Sequence, residues 1–359
     1  MKSRKIAILN FYYSISNYGA VLQAYALEKY LLELGYDAYT LNYRNFSKRP
    51  DLFLQMMLQY WFQRNCFSRF RKKWLRLTNP VYFLECQLNW AKWDFDTFIV
   101  GSDQVWRQNI NSRFLSAYYL PFLSGTEKRI AYAVSFGKDV WEAKPHITKA
   151  AKCEVEKFKA ISVREFSGVG ICRDIFGVEA EHVLDPTLLV GRNYFDTIIG
   201  TDSSDRPKNK IVYYKLDPDG DFNRCLEYLS EQLSRPVKNI YYSEIKEALS
   251  GKQYVYFEVE EWLREIRDAE FVVTDSFHCI CFCLLFEKQF IYFPNTERGL
   301  TRLESLLGLL GLRERIYGSM EDYQSRKDWK EVIDYDVVNA ILESEREKSA
   351  LFLKNTLES

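Results

Sequence analysis

The stretch TDSFHCICF, residues 274–282, sets one of only three histidines in the chain just after a short apolar run, FVV. If a strand ends at Asp275-Ser276 and passes into an apolar helix, His278 falls in that helix's first turn and Ser276 is its N-cap. Unpaired N–H groups and the positive end of the helix dipole make such a place a receptor for phosphate or carboxylate. The dipole disfavours an imidazolium and a bound dianion favours it, so a histidine there would hold its proton chiefly with an anionic substrate present. The same position also suits a histidine that merely opens a core helix. Cys279, Cys281 and Cys283 follow. Cys279 and Cys283 share one face and Cys281 lies on nearly the opposite one, which is poor geometry for a metal; all three read as small core residues, and no metal site is expected.

Other polar residues close short apolar runs in the same way. In ISVREFSG, Arg164 directly follows a strand, where its planar guanidinium can grip a phosphate or carboxylate with two hydrogen bonds or pair with a neighbouring acidic residue. In GSDQVW, Ser102 and Asp103 follow TFIV; Asp103 can accept a proton from a substrate hydroxyl or cap the next helix. Asn17 and Gly19 in SNYGAVLQAYAL are either a helix start or a substrate loop. HVL ends before Asp185-Pro186-Thr187. Open parallel sheets bind ligands outside the carboxyl ends of their strands, so these residues are correctly placed for a site.

A parallel α/β architecture must bring them together. At 359 residues and 47% hydrophobic, the chain supports two domains of ordinary size, read as 1–190 and 191–359. The first opens with a strand over 5–11, a helix over 18–34 stopped by Gly35, and a strand over 37–43, a βαβ unit. It lacks the glycine spacing of dinucleotide and P-loop sites. The polar stretch GRNYFDTIIGTDSSDRPKNK follows the boundary. Beyond it come strands IVYYKL, VKNIYY, FVVT and FIYF, with helices over 221–234, 259–270, 277–286 and 299–310. The amphipathic run DVVNAILESEREKSALFL suits a C-terminal helix packing back across both domains.

Between 46 and 93 the pattern breaks into basic and aromatic residues, with Lys48, Arg49, Arg64, Arg69, Arg71, Lys72, Lys73 and Arg76 set against Asp51. This composition suits an anionic membrane surface, but a helical insertion packed on its own domain is the plainer reading. Lysine plus arginine and aspartate plus glutamate both number 49, so no nucleic-acid partner is indicated. No window approaches the roughly 20 apolar residues of a membrane span. The start, MKSRKIAILNFYYS, reads as a first strand rather than a signal peptide. With eight cysteines, that points to a reducing compartment. The expectation is a cytoplasmic protein, soluble or peripheral at the membrane face.

Taken together, NYGAVLQAYAL, FIVGSDQVW, ISVRE, VLDPTLL and VTDSFH resemble the polysaccharide pyruvyl transferase family, in the family's order and across residues 17–290. The resemblance implies two Rossmann-like, doubly wound domains facing a cleft, similar to a GT-B glycosyltransferase. It implies that phosphoenolpyruvate ketalises two hydroxyls of a sugar in a capsule, exopolysaccharide or cell-wall glycan, or in its lipid-linked precursor. His278 matches the family's DSFH histidine and Arg164 its SVR arginine. On this pattern His278 is the general acid or stabilises phosphate, Arg164 holds the donor, and Asp103 is the base. Ser276 and Cys279 join Arg164 and His278 on the donor side; Asn17, Tyr18, Gly19, Gln23, Ser102 and Asp103 line the acceptor side. The partners implied are phosphoenolpyruvate and a sugar or lipid-linked oligosaccharide, with no tightly bound cofactor. Two residues depart from the pattern: Cys279 stands where the family usually has a smaller residue, most often glycine, and Gln289 where it often has proline. Cysteine would narrow a ligand's approach to the helix start. The rival readings are a GT-B enzyme using a nucleotide sugar and a non-catalytic glycan-assembly protein on the same fold.

Overall fold

The computed structural model describes residues 4–14, 16–44, 66–108, 115–200, 209–215, 218, 220–248, 251–294, 300–326 and 328–359. The expected insertion therefore lies outside the described residues as far as 65, apart from its neighbours before 45. The chain forms two compact units, Met1–Val190 with Glu345–Ser359, and Gly191–Ser344.

In the first unit, β1 (Lys5–Leu9), α1 (Tyr18–Glu33) and β2 (Asp37–Thr40) form the opening βαβ. Gly35, at φ 87°, ends α1 in the left-handed conformation that glycine tolerates. A basic helix, α2 (Cys66–Trp74), packs on α1 through Tyr18 against Phe67 and Tyr25 against Phe70 and Trp74. The described end of the basic segment is thus an element packed on its own unit.

The sheet continues through β3 (Thr97–Val100), β4 (Lys128–Val134), β5 (Ala160–Val163) and β6 (Glu181–His182). All pairs are parallel, in the order β2-β1-β3-β4-β5-β6. Alternation sends Ala7, Leu9, Phe98 and Val100 to one core and Ile6, Ile8 and Ile99 to the other. Burial on both faces explains why these strands read as unbroken apolar runs.

The second unit holds β7 (Ile211–Tyr214), α3 (Gly220–Leu233), β8 (Val237–Asn239), α4 (Val259–Arg267), β11 (Phe271–Thr274), α5 (Phe277–Leu285) and β12 (Gln289–Tyr292). Its parallel sheet runs β12-β11-β7-β8. An antiparallel hairpin, β9 (Glu244–Ala248) with β10 (Gly251–Val255), was not foreseen, and the strand expected over 237–242 stops at Asn239. There the Asn239 side chain accepts the Tyr241 N–H at 2.8 Å and turns the chain. Gln289, in place of the usual proline, accepts the Ile333 N–H at 2.9 Å and ties β12 to the segment before the last helix.

That helix, α6 (Tyr335–Glu358), was placed with the second half of the chain. As expected of a helix that packs back, its end belongs to the first unit: Phe352, Leu353 and Leu357 enter the core with Ile6 and Ile8, and Ser349 Oγ accepts the Leu184 N–H at 2.9 Å. Among the described residues no helix is long and apolar enough to cross a membrane.

Candidate functional site

In each parallel sheet the strand order reverses at one point, and open α/β sheets bind ligands outside the carboxyl ends of the strands there. In the first unit the reversal lies between β1 and β3. Asn10 leaves β1 there, 1% exposed, and both atoms of its amide lack a hydrogen-bond partner among the described residues. A Cβ on Gly101 would sit 2.9 Å from Asn10 Cβ, so glycine is what lets the two strand ends approach. A buried amide without partners points to a ligand or a water. Asn10 was missed in the sequence, although it is a polar residue closing an apolar strand, the same signal that marked Ser102.

Asp103 follows at φ 79°, a left-handed conformation that is strained for a residue with a side chain and that clusters at functional sites. Its Oδ1 accepts from Arg164 Nη2 at 2.9 Å and from the Gln104 N–H at 2.9 Å. Arg164 Nη1 donates to Asp185 Oδ2 at 2.7 Å and lies 3.4 Å from Ser102 Oγ. The Ser102 hydroxyl sits 2.7 Å from Asp185 Oδ2 and 2.9 Å from the Ala133 carbonyl, on the bulge of β4. Asp185 Oδ1 accepts from Thr187 N and Oγ1 at 3.0 and 2.8 Å, which caps the next turn.

The ion-pair alternative for Arg164 is therefore the one found. Its side chain is fully buried, and both Nη groups are committed to carboxylates. Burial opposes the guanidinium charge, but Asp103, Asp185 and Glu165 outweigh it and raise its pKa above the ordinary value. As found, Arg164 braces Asp103 and Asp185.

The helix-start reading also holds for the proposed acceptor residues of α1. Asn17 caps the helix, accepting the Ala20 N–H at 3.2 Å. Tyr18 is fully buried against Phe67, and Gly19 is buried. Gln23 donates to the Ala20 carbonyl at 2.8 Å, while its buried Oε1 has no partner among the described residues. Behind it, Glu28 accepts from Thr40 Oγ1 at 2.6 Å and from the Arg76 N–H at 2.7 Å; burial pushes its pKa from 4.5 to about 7.

In the second unit the reversal lies between β7 and β11. β11 runs into α5 as expected, Ser276 is the N-cap, and its Oγ accepts the Cys279 N–H at 3.4 Å. His278 stands in the first turn, 6% exposed, with its ring edge-on to Phe277. Cys279 is fully buried; burial, then the neighbouring Cys279 thiol, push the Cys283 thiol well above its usual pKa. The residue in glycine's place therefore directs its thiol into the core. None of the eight cysteines forms a disulfide, and among the described residues no cluster of His, Cys, Asp and Glu is placed to hold a metal ion.

Lys215, which the sequence reading passed over, closes β7 beside this turn. Its side chain is 1% exposed; Nζ donates to the Phe293 carbonyl at 3.1 Å and lies 3.7 Å from Asp275 Oδ2. A basic residue ending the apolar run IVYY was the available signal. The candidate residues thus form two groups, one around Asp103, Arg164 and Asp185 and one around Lys215, Asp275, Ser276 and His278.

A family model described as polysaccharide pyruvyl transferase matches residues 17–297. No curated protein matches the sequence. Among solved structures, an S. aureus MnaA–UDP co-structure matches with a TM-score of 0.56 at 8% identity, covering 99% of this chain and 97% of that one. Arabidopsis thaliana UGT89C1 complexed with UDP-L-rhamnose follows at 0.53 and 10%, covering 100% and 98%. Methanocaldococcus jannaschii UDP-GlcNAc 2-epimerase in complex with UDP-GlcNAc and UDP matches at 0.51 and 11%, covering 99% of each chain. At these identities the likeness is one of fold, the GT-B type of α/β architecture.

Proposed function

The chain belongs to the polysaccharide pyruvyl transferase family, and from that membership we propose that it moves the enolpyruvyl group of phosphoenolpyruvate onto two hydroxyls of one sugar, forming a pyruvate ketal in a surface polysaccharide or its precursor. The observation that carries this reading is the position of His278, in the first turn of a capped helix at the carboxyl end of β11. Such a helix start stabilises an anion, and an imidazolium there can deliver a proton.

The chemistry proceeds in balanced steps. A proton adds to the methylene carbon of phosphoenolpyruvate and leaves its central carbon electrophilic. One sugar hydroxyl adds to that carbon and loses its proton; the carbon–phosphate oxygen bond breaks and phosphate departs. A second hydroxyl then adds to the same carbon, loses its proton and closes the ketal. His278 serves as the acid or as the group that stabilises departing phosphate, and Asp103 receives a hydroxyl proton. Arg164 acts through Asp103: it is a positioning residue that keeps the carboxylate at the end of β3. Asn10, Gln23 and Ser102 are the neighbouring acceptor-side groups. No metal or tightly bound cofactor is assigned a role.

The test is to incubate the protein with phosphoenolpyruvate and a panel of free and lipid-linked oligosaccharides, following phosphate release and the mass gain of one pyruvylidene group. Both signals together are the expected result. If the protein instead turns over or is stabilised by UDP-sugars and ignores phosphoenolpyruvate, the nucleotide-sugar reading replaces this one.

A further inference from the structure

Resting on the pyruvyl-transfer reading, we infer that Lys215 is the cation that binds the anionic donor in the second unit. Phosphoenolpyruvate carries a phosphate and a carboxylate and requires a fixed positive charge. Arg164, which the family pattern puts in that role, is enclosed by Asp103 and Asp185 in the first unit. With Glu165 next to it, its surroundings carry more negative than positive charge.

Among the described residues, Lys215 faces a single carboxylate, Asp275, beyond hydrogen-bond distance. Tyr214 pairs with Thr274 across β7 and β11, so Lys215 and Asp275 leave adjacent strands at the same level. Thr274 locks the two ends together: its Oγ1 donates to the Tyr214 carbonyl at 2.6 Å and accepts the Ser276 N–H at 3.0 Å. The ammonium lies over the faces of Phe222 and Phe293, with Nζ 5.4 and 5.7 Å from their ring centres. An ammonium has three N–H donors. Here Phe293 O is the one acceptor within hydrogen-bond distance among the described residues, and the Asp275 carboxylate at 3.7 Å is beyond it.

A buried ammonium holding a single hydrogen bond is undersatisfied, and an anion oxygen satisfies it. It stands at the reversal point of the sheet, where such folds bind ligands, at the strand end next to the turn that starts the His278 helix. The lysine and the helix start thus supply the two kinds of anion contact that a phosphate uses, a point charge and backbone N–H groups.

Calorimetric titration of wild type, Lys215→Met and the double variant Lys215→Met/Asp275→Asn with phosphoenolpyruvate and with inorganic phosphate tests this. The double variant removes both buried charges together and so guards against unfolding by an unpaired Asp275. The expected result is that phosphoenolpyruvate binds wild type and at least about tenfold more weakly to both variants, a loss on the scale of one charge-assisted hydrogen bond. Unchanged phosphoenolpyruvate affinity in the folded double variant overturns the inference and leaves the pyruvyl-transfer reading standing. Phosphate binding that falls with Lys215→Met, in a protein that ignores phosphoenolpyruvate, upholds the lysine site and removes that donor. Failure of wild type to bind either anion overturns both.

Discussion

At the end of the first sheet a guanidinium is enclosed by two carboxylates, a serine hydroxyl and a bulged strand; at the end of the second an ammonium has one hydrogen-bond acceptor and a carboxylate at 3.7 Å. Both places are points where parallel strand order reverses, so topology alone does not separate them. What separates them is the number of carboxylates that close on the cation: two within hydrogen-bond distance of Arg164 and none within it of Lys215 among the described residues. A cation gripped by two carboxylates holds its neighbours in place, whereas an ammonium with one hydrogen-bonded carbonyl has donor capacity left for a ligand.

The largest effect is expected at Arg164. Arg164→Met leaves Asp103 and Asp185 buried without their counter-charge, and the first unit should lose about 3–5 kcal/mol of stability in urea denaturation. A loss below about 1 kcal/mol would mean the network is open to solvent or ligand, and would return Arg164 to the donor.

Glu28 sharpens the contrast within the first unit, because it is a buried carboxyl held by a hydroxyl and backbone N–H groups instead of a guanidinium. Its pKa is raised in the folded chain, from 4.5 to about 7, so the stability it contributes is complete below pH 4.5 and is lost as pH rises through about 7. Across that window the loss is on the order of 3 kcal/mol. Melting curves from pH 4.5 to 8 should show it, and Glu28→Gln should flatten it; an equally steep profile in the variant would clear Glu28.

In the second unit the effects fall on chemistry before stability. His278→Ala should reduce transfer about a hundredfold, the lower range for losing a positioned proton donor, while the chain stays folded by circular dichroism. Near-normal turnover in the folded variant would remove the histidine from the mechanism. The smallest effect is at Ser276: its cap bond is long, 3.4 Å, and Ser276→Ala should lower stability by about 1 kcal/mol or less. A larger drop would mean that the helix start is packed more tightly than its hydrogen bond suggests.

Much of the fold was legible because burial on both faces leaves continuous apolar strands, and helix starts and stops carry local chemistry. Ser276, Asn17 and Gly35 were readable for that reason. The hairpin β9–β10 was not, since EIKEA and GKQYV show no sustained apolar alternation and, among the described residues, pair only with each other. Within the site, the strand-end positions of Asp103, Arg164 and His278 were visible as polar residues after apolar runs. The choice between cleft-facing and enclosed arginine was not, because the partners of Arg164 lie 21 and 61 residues away. Lys215 was overlooked for the same reason: its meaning depends on Asp275 and Phe293, which follow β11 and β12.

The sequence by itself determined the alternation of strands and helices, the polar residues at strand ends and the family to which the chain belongs. Those properties are written in local periodicity, capping chemistry and the order of short motifs. Which cation is enclosed by carboxylates and which is not emerges only once the strands are assembled. Such pairing depends on atoms brought within about 3 Å by strand order, and strand order joins residues that the chain itself keeps far apart.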